Sequence, residues 1–146
     1  MPGASRSVRV AVPVEQFFDV VADYERYGEF LPEVKSVRLT DRRGPEVKVH
    51  YQVNLIKNIR YTLQMKEERP HRIAWSFVEG EVMRDNRGEW RLEADGPAAT
   101  KVTYQIEMAF GPLVPRAITD KLVESSLPAM LEAFRKRAES GKTSTA

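Results

Sequence analysis

The chain has 146 residues, 30 % of them charged and 42 % hydrophobic, with a formal net charge of +2, which fits one globular domain and gives no argument for DNA as a partner. The absence of cysteine excludes disulfides, thiolate nucleophiles and thiolate metal sites. No apolar run approaches the ~20 residues of a membrane span, and residues 1–8 lack the apolar stretch of a secretory signal, so a cytoplasmic location is the expectation.

The first predicted element is a strand over Ser5 to Val12, where Val8, Val10 and Val12 alternate with Ser7, Arg9 and Ala11. Pro13 is placed to open a helix whose apolar face carries Val14, Phe17, Phe18 and Val21. Asp23 can cap a second short helix bearing Tyr27, Phe30 and Leu31, which Pro32 stops.

From Val47 to Phe110, large apolar residues recur at every second position. One face carries Val49, Tyr51, Val53 and Leu55, then Ile59, Tyr61, Leu63 and Met65. It continues with Ile73, Trp75 and Phe77, with Trp90 and Leu92, and with Val102, Tyr104, Ile106, Met108 and Phe110. Polar residues such as Lys48, His50, Gln52, Arg60 and Thr62 fill the alternate positions, so the sheet has one dry and one wet face. Turn signals at Arg43-Gly44-Pro45, Lys57-Asn58, Arg69-Pro70-His71 and Asp95-Gly96-Pro97 make this an antiparallel meander of about six strands after the first. Glu79-Gly80 is a softer break between the fifth and sixth strands.

A terminal helix should begin near Gly111-Pro112 or just past Pro115 and run to about Ala138. Its apolar residues form two rows, Val114, Ile118 and Leu122, and then Val123, Leu127, Met130, Leu131 and Phe134. On a straight helix these rows lie nearly opposite each other. Pro128 can bend the helix and redirect them; alternatively the helix is enclosed on most of its circumference. Residues 1–139 form the domain, and 140–146 read as a disordered tail.

One helix against so aromatic a face predicts a curved sheet with room for a lipophilic guest. The expected walls are Tyr51, Tyr61, Met65, Trp75, Phe77, Trp90, Tyr104, Met108 and Phe110, with Ile118, Leu122, Leu127 and Met130 on the helix side. The alternative is that the same residues pack solidly on one another. Tyrosine hydroxyls can anchor a guest while their rings stay dry. His50 and His71 are expected to face solvent and lack metal-pair spacing, and no metal or cofactor motif occurs. Arg84, Asp85 and Glu89 are the candidate acid, base or carbonyl-polarising groups, provided they turn into the cavity; otherwise they belong to an exposed hairpin. Basic clusters at Arg38, Arg42 and Arg43 and at Arg135, Lys136, Arg137 and Lys142 are solvated surface, or a weak contact for acidic lipid headgroups or RNA.

Val21-Ala22-Asp23, Tyr27 and Phe30-Leu31-Pro32 resemble the opening signature of the polyketide cyclase/dehydrase and coenzyme Q-binding branch of the START-like (SRPBCC) superfamily. Gly88-Glu89-Trp90 with Thr100-Lys101-Val102-Thr103-Tyr104 resembles its closing hairpin, and Leu127 to Ala138 is similar to its final helix. The resemblance implies an α+β helix-grip fold: about seven curved antiparallel strands wrapped round a long C-terminal helix, with two short helices after the first strand. It implies, as functions, binding or transport of a lipid, quinone or polyketide; polyketide aromatase/cyclase activity; or a ribosome-association toxin-like module. The expected partner is a hydrophobic small molecule, without a resident cofactor, and the chain is expected as a monomer or a homodimer paired through its first strand.

Overall fold

The computed structural model describes residues 3–54 and 57–141, the Val123 side chain excepted. The inward position of Leu55, the place of Val123 in its apolar row, Lys142 and residues 142–146 of the expected tail lie outside the described residues. Seven strands form one antiparallel sheet: β1 (Gly3–Val10), β2 (Val34–Arg43), β3 (Glu46–Asn54), β4 (Asn58–Glu68), β5 (Arg72–Gly80), β6 (Met83–Ala94) and β7 (Thr100–Phe110). Their order is β1-β7-β6-β5-β4-β3-β2, a meander closed by β1 pairing back onto β7. The short helix α1 (Val14–Ala22) and a 3-10 helix (Tyr24–Glu29) separate β1 from β2. The fold is the helix-grip arrangement, with the C-terminal helix against the inner face of the sheet.

The alternation read from sequence is the burial pattern of the sheet. Val47, Val49, Tyr51 and Val53 on β3 are buried, as are Ile59, Leu63 and Met65 on β4 and Val102, Tyr104 and Ile106 on β7. Helix α1 buries Phe17, Phe18, Val20 and Val21. Its start differs from the sequence expectation: β1 ends at Val10, and Pro13 is the cap, extended at φ −60° and ψ 153°. Its carbonyl accepts from Phe17 N at 3.1 Å, which begins the helix one residue later. The β5–β6 break also shifts, from Glu79-Gly80 to Glu81-Val82. There Met83 N donates to Glu81 O at 2.6 Å across Val82 at φ +66°, a three-residue turn.

The terminal helix resolves the two apolar rows in an unexpected way. It comprises α2 (Arg116–Lys121), a π-helical turn (Leu122–Ser126) and α3 (Leu127–Glu139). Pro128 has no N–H to give the carbonyl four residues back, and its ring crowds that carbonyl. One turn earlier the chain widens, and Leu127 N donates to Leu122 O, five residues away. In an α-helix, five residues turn the chain far past a full revolution, setting Leu122 and Leu127 on different faces. The wider turn brings them onto one face, and they are 9 % and 7 % exposed.

Candidate functional site

Between the inner face of the sheet and this helix lies a cavity of about 160 Å³. Tyr51, Tyr61, Leu63, Met65, Trp75, Trp90, Tyr104 and Met108 come from the strands; Leu122, Leu127, Met130 and Phe134 come from the terminal helix. Tyr27, Leu31, Glu33 and Val34, from the 3-10 helix to the start of β2, also line the cavity. Phe134 is the hub of the aromatic wall, with ring centroids 5.2 Å from Tyr27, 5.0 Å from Phe30 and 4.9 Å from Trp90. Trp90 in turn meets Tyr104 edge-on at 4.6 Å, and Tyr51 stacks on Tyr61 at 5.1 Å. Such edge and offset contacts rigidify a wall beyond what area burial alone supplies.

Most of the sheet and helix residues expected from the sequence are in this lining, but Phe77, Phe110 and Ile118 are not. Phe77 packs half-buried against the core, on the far part of β5 where pairing with β6 has ended. Phe110 lies at the end of β7 and borders a separate surface depression with Val114 and Thr119. Ile118 falls on α2, before the π-helical turn re-aims the apolar face.

The three charged candidates also stand outside the lining. Arg84 is exposed. The Asp85 carboxylate lies 3.6 Å from Arg87 Nε. Glu89 holds Arg72 at 3.2 Å and also pairs with Arg91, on the outer face of the sheet. Asp85 and Glu89 hold odd positions on β6, opposite in parity to the inward Gly88, Trp90 and Leu92. Arg84 shares the inward parity, but it lies in the register shift between Met83 and Asp85, where Met83 is buried in its place.

Three polar lining residues were not singled out from sequence: Glu33, Asn86 and Ser126, the last in the π-helical turn. Asn86 is 4 % exposed, and its Oδ1 accepts from Trp75 Nε1 at 2.8 Å. It shares the parity of Gly88 and Trp90, so counting back along β6 was the available signal. Glu33 precedes β2 in a loop, where no periodicity points its side chain. The residue is half-buried, and its carboxylate forms no ion pair among the described residues.

Burial sets the electrostatics. Desolvation pushes the Tyr51, Tyr61 and Tyr104 phenols well above the usual tyrosine range. Neighbouring charge adds to this: Tyr61 and Tyr104 for Tyr51, Glu33 for Tyr61, and Tyr61 for Tyr104. All three therefore stay protonated as hydrogen-bond donors. Tyr27 is spent structurally, its hydroxyl donating to Val21 O. Tyr24 donates to Glu67 at 2.7 Å, and Glu67 also accepts from Arg42 at 2.9 Å.

On the outer face, His50 is less free than its polar register implied. Nε2 lies 2.6 Å from Thr40 Oγ1 and Nδ1 lies 2.8 Å from Thr62 Oγ1. Partial burial, followed by the Arg38 charge, lowers its basicity. Among the basic clusters, Arg42 pairs with Glu67, Arg135 with Glu132 and Glu139, and Arg137 with Glu29 at 2.6 Å. Among the described residues no group of three or more histidines, aspartates and glutamates is spaced to hold a metal ion. No described helix is long and apolar enough to cross a membrane.

A curved antiparallel sheet gripping a C-terminal helix around an aromatic cavity defines a START-like domain. The chain belongs to the family described as polyketide cyclase / dehydrase and lipid transport, whose model matches residues 1–139. It is 27 % identical over 140 residues to the ribosome association toxin RatA of Vibrio cholerae, covering 95 % of this chain and 96 % of that protein. Its fold is similar to that of the Zhui aromatase/cyclase from Streptomyces sp. R1128, with a TM-score of 0.86 and 19 % identity over 94 % of this chain and 93 % of that one. It is also similar to the STAR-related lipid transfer protein from Xanthomonas axonopodis, with a TM-score of 0.79 and 17 % identity over 94 % of this chain and 85 % of that one.

Proposed function

We propose that this protein binds a lipophilic small molecule between its sheet and its C-terminal helix. The observation carrying this reading is the aromatic cavity of about 160 Å³ that the helix leaves unfilled. An apolar void of roughly 150 Å³ is known to stay dry and admit benzene, so the interior as it stands takes one ring-sized portion of a guest. A longer lipid, quinone or polyketide then extends past Glu33 or requires the terminal helix to give. Family membership and the lipid-transfer relative support the same reading. Native mass spectrometry of the purified protein, with calorimetric titration of a quinone and a fatty alcohol, tests it. A bound hydrophobic mass or a saturable heat is expected; an empty protein that binds neither compound overturns it.

A second reading, aromatase/cyclase activity, draws on the likeness to the Zhui enzyme and on Glu33, a carboxylate that shares the cavity with three protonated phenols. In that reading the tyrosines polarise the acceptor ketone, Glu33 takes the α-proton as the new C–C bond forms and returns it to the alkoxide, and a second α-proton leaves with that hydroxyl as water on dehydration. Turnover of a short poly-β-ketone thioester that E33Q abolishes, with binding retained, would favour it over simple carriage. Contact with ribosomes, drawn from the similarity to RatA, has less support because Arg42, Arg135 and Arg137 are already held by carboxylates. Salt-sensitive cosedimentation with ribosomal particles is the measurement that would raise it.

A further inference from the structure

We propose that the cavity selects neutral ring compounds bearing a carbonyl oxygen and rejects carboxylates of the same size and shape. This rests on the reading that the cavity holds a lipophilic guest, and it concerns which guests that cavity accepts. The hydroxyls of Tyr51, Tyr61 and Tyr104 have no hydrogen-bond partner among the described residues. No described side-chain oxygen or nitrogen is sealed from space without a partner, so these hydroxyls reach open space, and all three residues line the cavity. Tyr51 and Tyr61 also border a polar groove on the outer face. Their side chains nevertheless follow the inward register, alternating with His50, Gln52, Arg60 and Thr62 along β3 and β4.

Asn86 supplies a fourth donor. The Trp75 indole can only donate, so the Asn86 carbonyl oxygen must face it, leaving the amide N–H₂ for the cavity. Against these donors stands a single charged side chain in the lining, Glu33, and no lysine, arginine or histidine lines the cavity among the described residues.

Three phenols and an amide reward a guest that brings acceptor oxygens, each neutral hydrogen bond contributing about two- to tenfold in affinity. A guest carboxylate would accept the same bonds. It would also lose its hydration with no cation to replace it, beside a second carboxylate. A pure hydrocarbon gains the walls and leaves the donors unused. The order of affinity is therefore ketone, hydrocarbon, carboxylate.

Isothermal titration of the full chain at neutral pH with α-tetralone, tetralin and tetralin carboxylate tests this with one ring skeleton. We expect α-tetralone to bind about tenfold more tightly than tetralin, and the carboxylate about tenfold more weakly than tetralin. The triple variant Y51F/Y61F/Y104F, which keeps the Asn86 amide, should weaken α-tetralone several-fold and narrow its advantage over tetralin. E33Q should recover several-fold binding of the carboxylate. If the triple variant does not fold, Y61F alone should still weaken α-tetralone at least twofold. Equal affinities for the three compounds in the wild-type chain overturn the selection while leaving a lipophilic site in place. A carboxylate that binds most tightly also overturns it. No binding by any of the three takes the binding reading down with it.

Discussion

Trp75 Nε1 donates to Asn86 Oδ1 at 2.8 Å across the point where β5 and β6 stop pairing. Their ladder runs from Arg72 opposite Arg91 to Trp75 opposite Gly88, and goes no further. Asn86 lies two residues beyond the last pair. A side-chain bond therefore laces the strands where the backbone no longer does. Replacing Asn86 with leucine keeps the bulk and leaves the indole N–H without an acceptor. This should cost about 1–3 kcal/mol, read as a lower urea midpoint at unchanged slope. An N86L chain as stable as wild type would show that the bond contributes nothing to folding.

Gly88 is the second consequence of that seam. A Cβ there would sit 2.1 Å from the Gln105 carbonyl oxygen and 2.7 Å from Trp75 Cζ2. The first neighbour is backbone and cannot swing away. G88A should therefore destabilise the protein by about 2–3 kcal/mol, at the upper end of overpacking costs, and shift the near-ultraviolet circular dichroism of the tryptophans. G96A, at a turn with φ +81° and nothing near its Cβ, should leave the tryptophan signal unchanged while losing stability through backbone strain.

All five tyrosines have phenols pushed above their ordinary range, with desolvation the first cause in each. In the unfolded chain they lose their protons near pH ~10, while in the folded chain they keep them. Above that pH the native state binds more protons, so stability falls as pH rises, by about 1.4 kcal/mol per tyrosine for each pH unit. Unfolding and phenolate absorbance should appear together in an alkaline titration. Phenolate forming well before the circular dichroism changes would contradict the burial of these rings.

Met130 is half-buried on the helix side of the cavity and can be used to fill it. M130W should reduce binding of any ring-sized guest about tenfold or more, with a change in stability of under about 1.5 kcal/mol because the added volume enters existing space. Calorimetry and thermal unfolding on the same sample check both halves. Unimpaired binding would move the guest elsewhere.

The sheet was legible because period-two alternation is a direct record of which face is dry: Val49, Tyr51 and Val53, then Ile59, Leu63 and Met65, then Val102, Tyr104 and Ile106 are buried as their parity requires, with Tyr61 half-buried among them. The cavity walls followed from the same parity. Three things escaped it. Glu33 sits in a loop, where side-chain direction has no period. Asn86 is a polar residue on an apolar register, in a strand whose start was misplaced by the Glu81-Val82 turn. Phe77 has the right parity, but it lies beyond the last β5–β6 pair, where the wall has already parted. The two helical rows looked opposed because a spacing of 3.6 residues was assumed throughout, and the stretch from Leu122 to Ser126 does not obey it.

That irregular stretch bears on how kindred chains are compared. A chain lacking one residue between Leu122 and Leu127 would regain ordinary winding and present a different stripe to the interior, even with every downstream letter identical. Alignments that slide a gap freely through this stretch would equate side chains that point in different directions. Assigning interior residues across such kin means settling the winding first and reading the letters second.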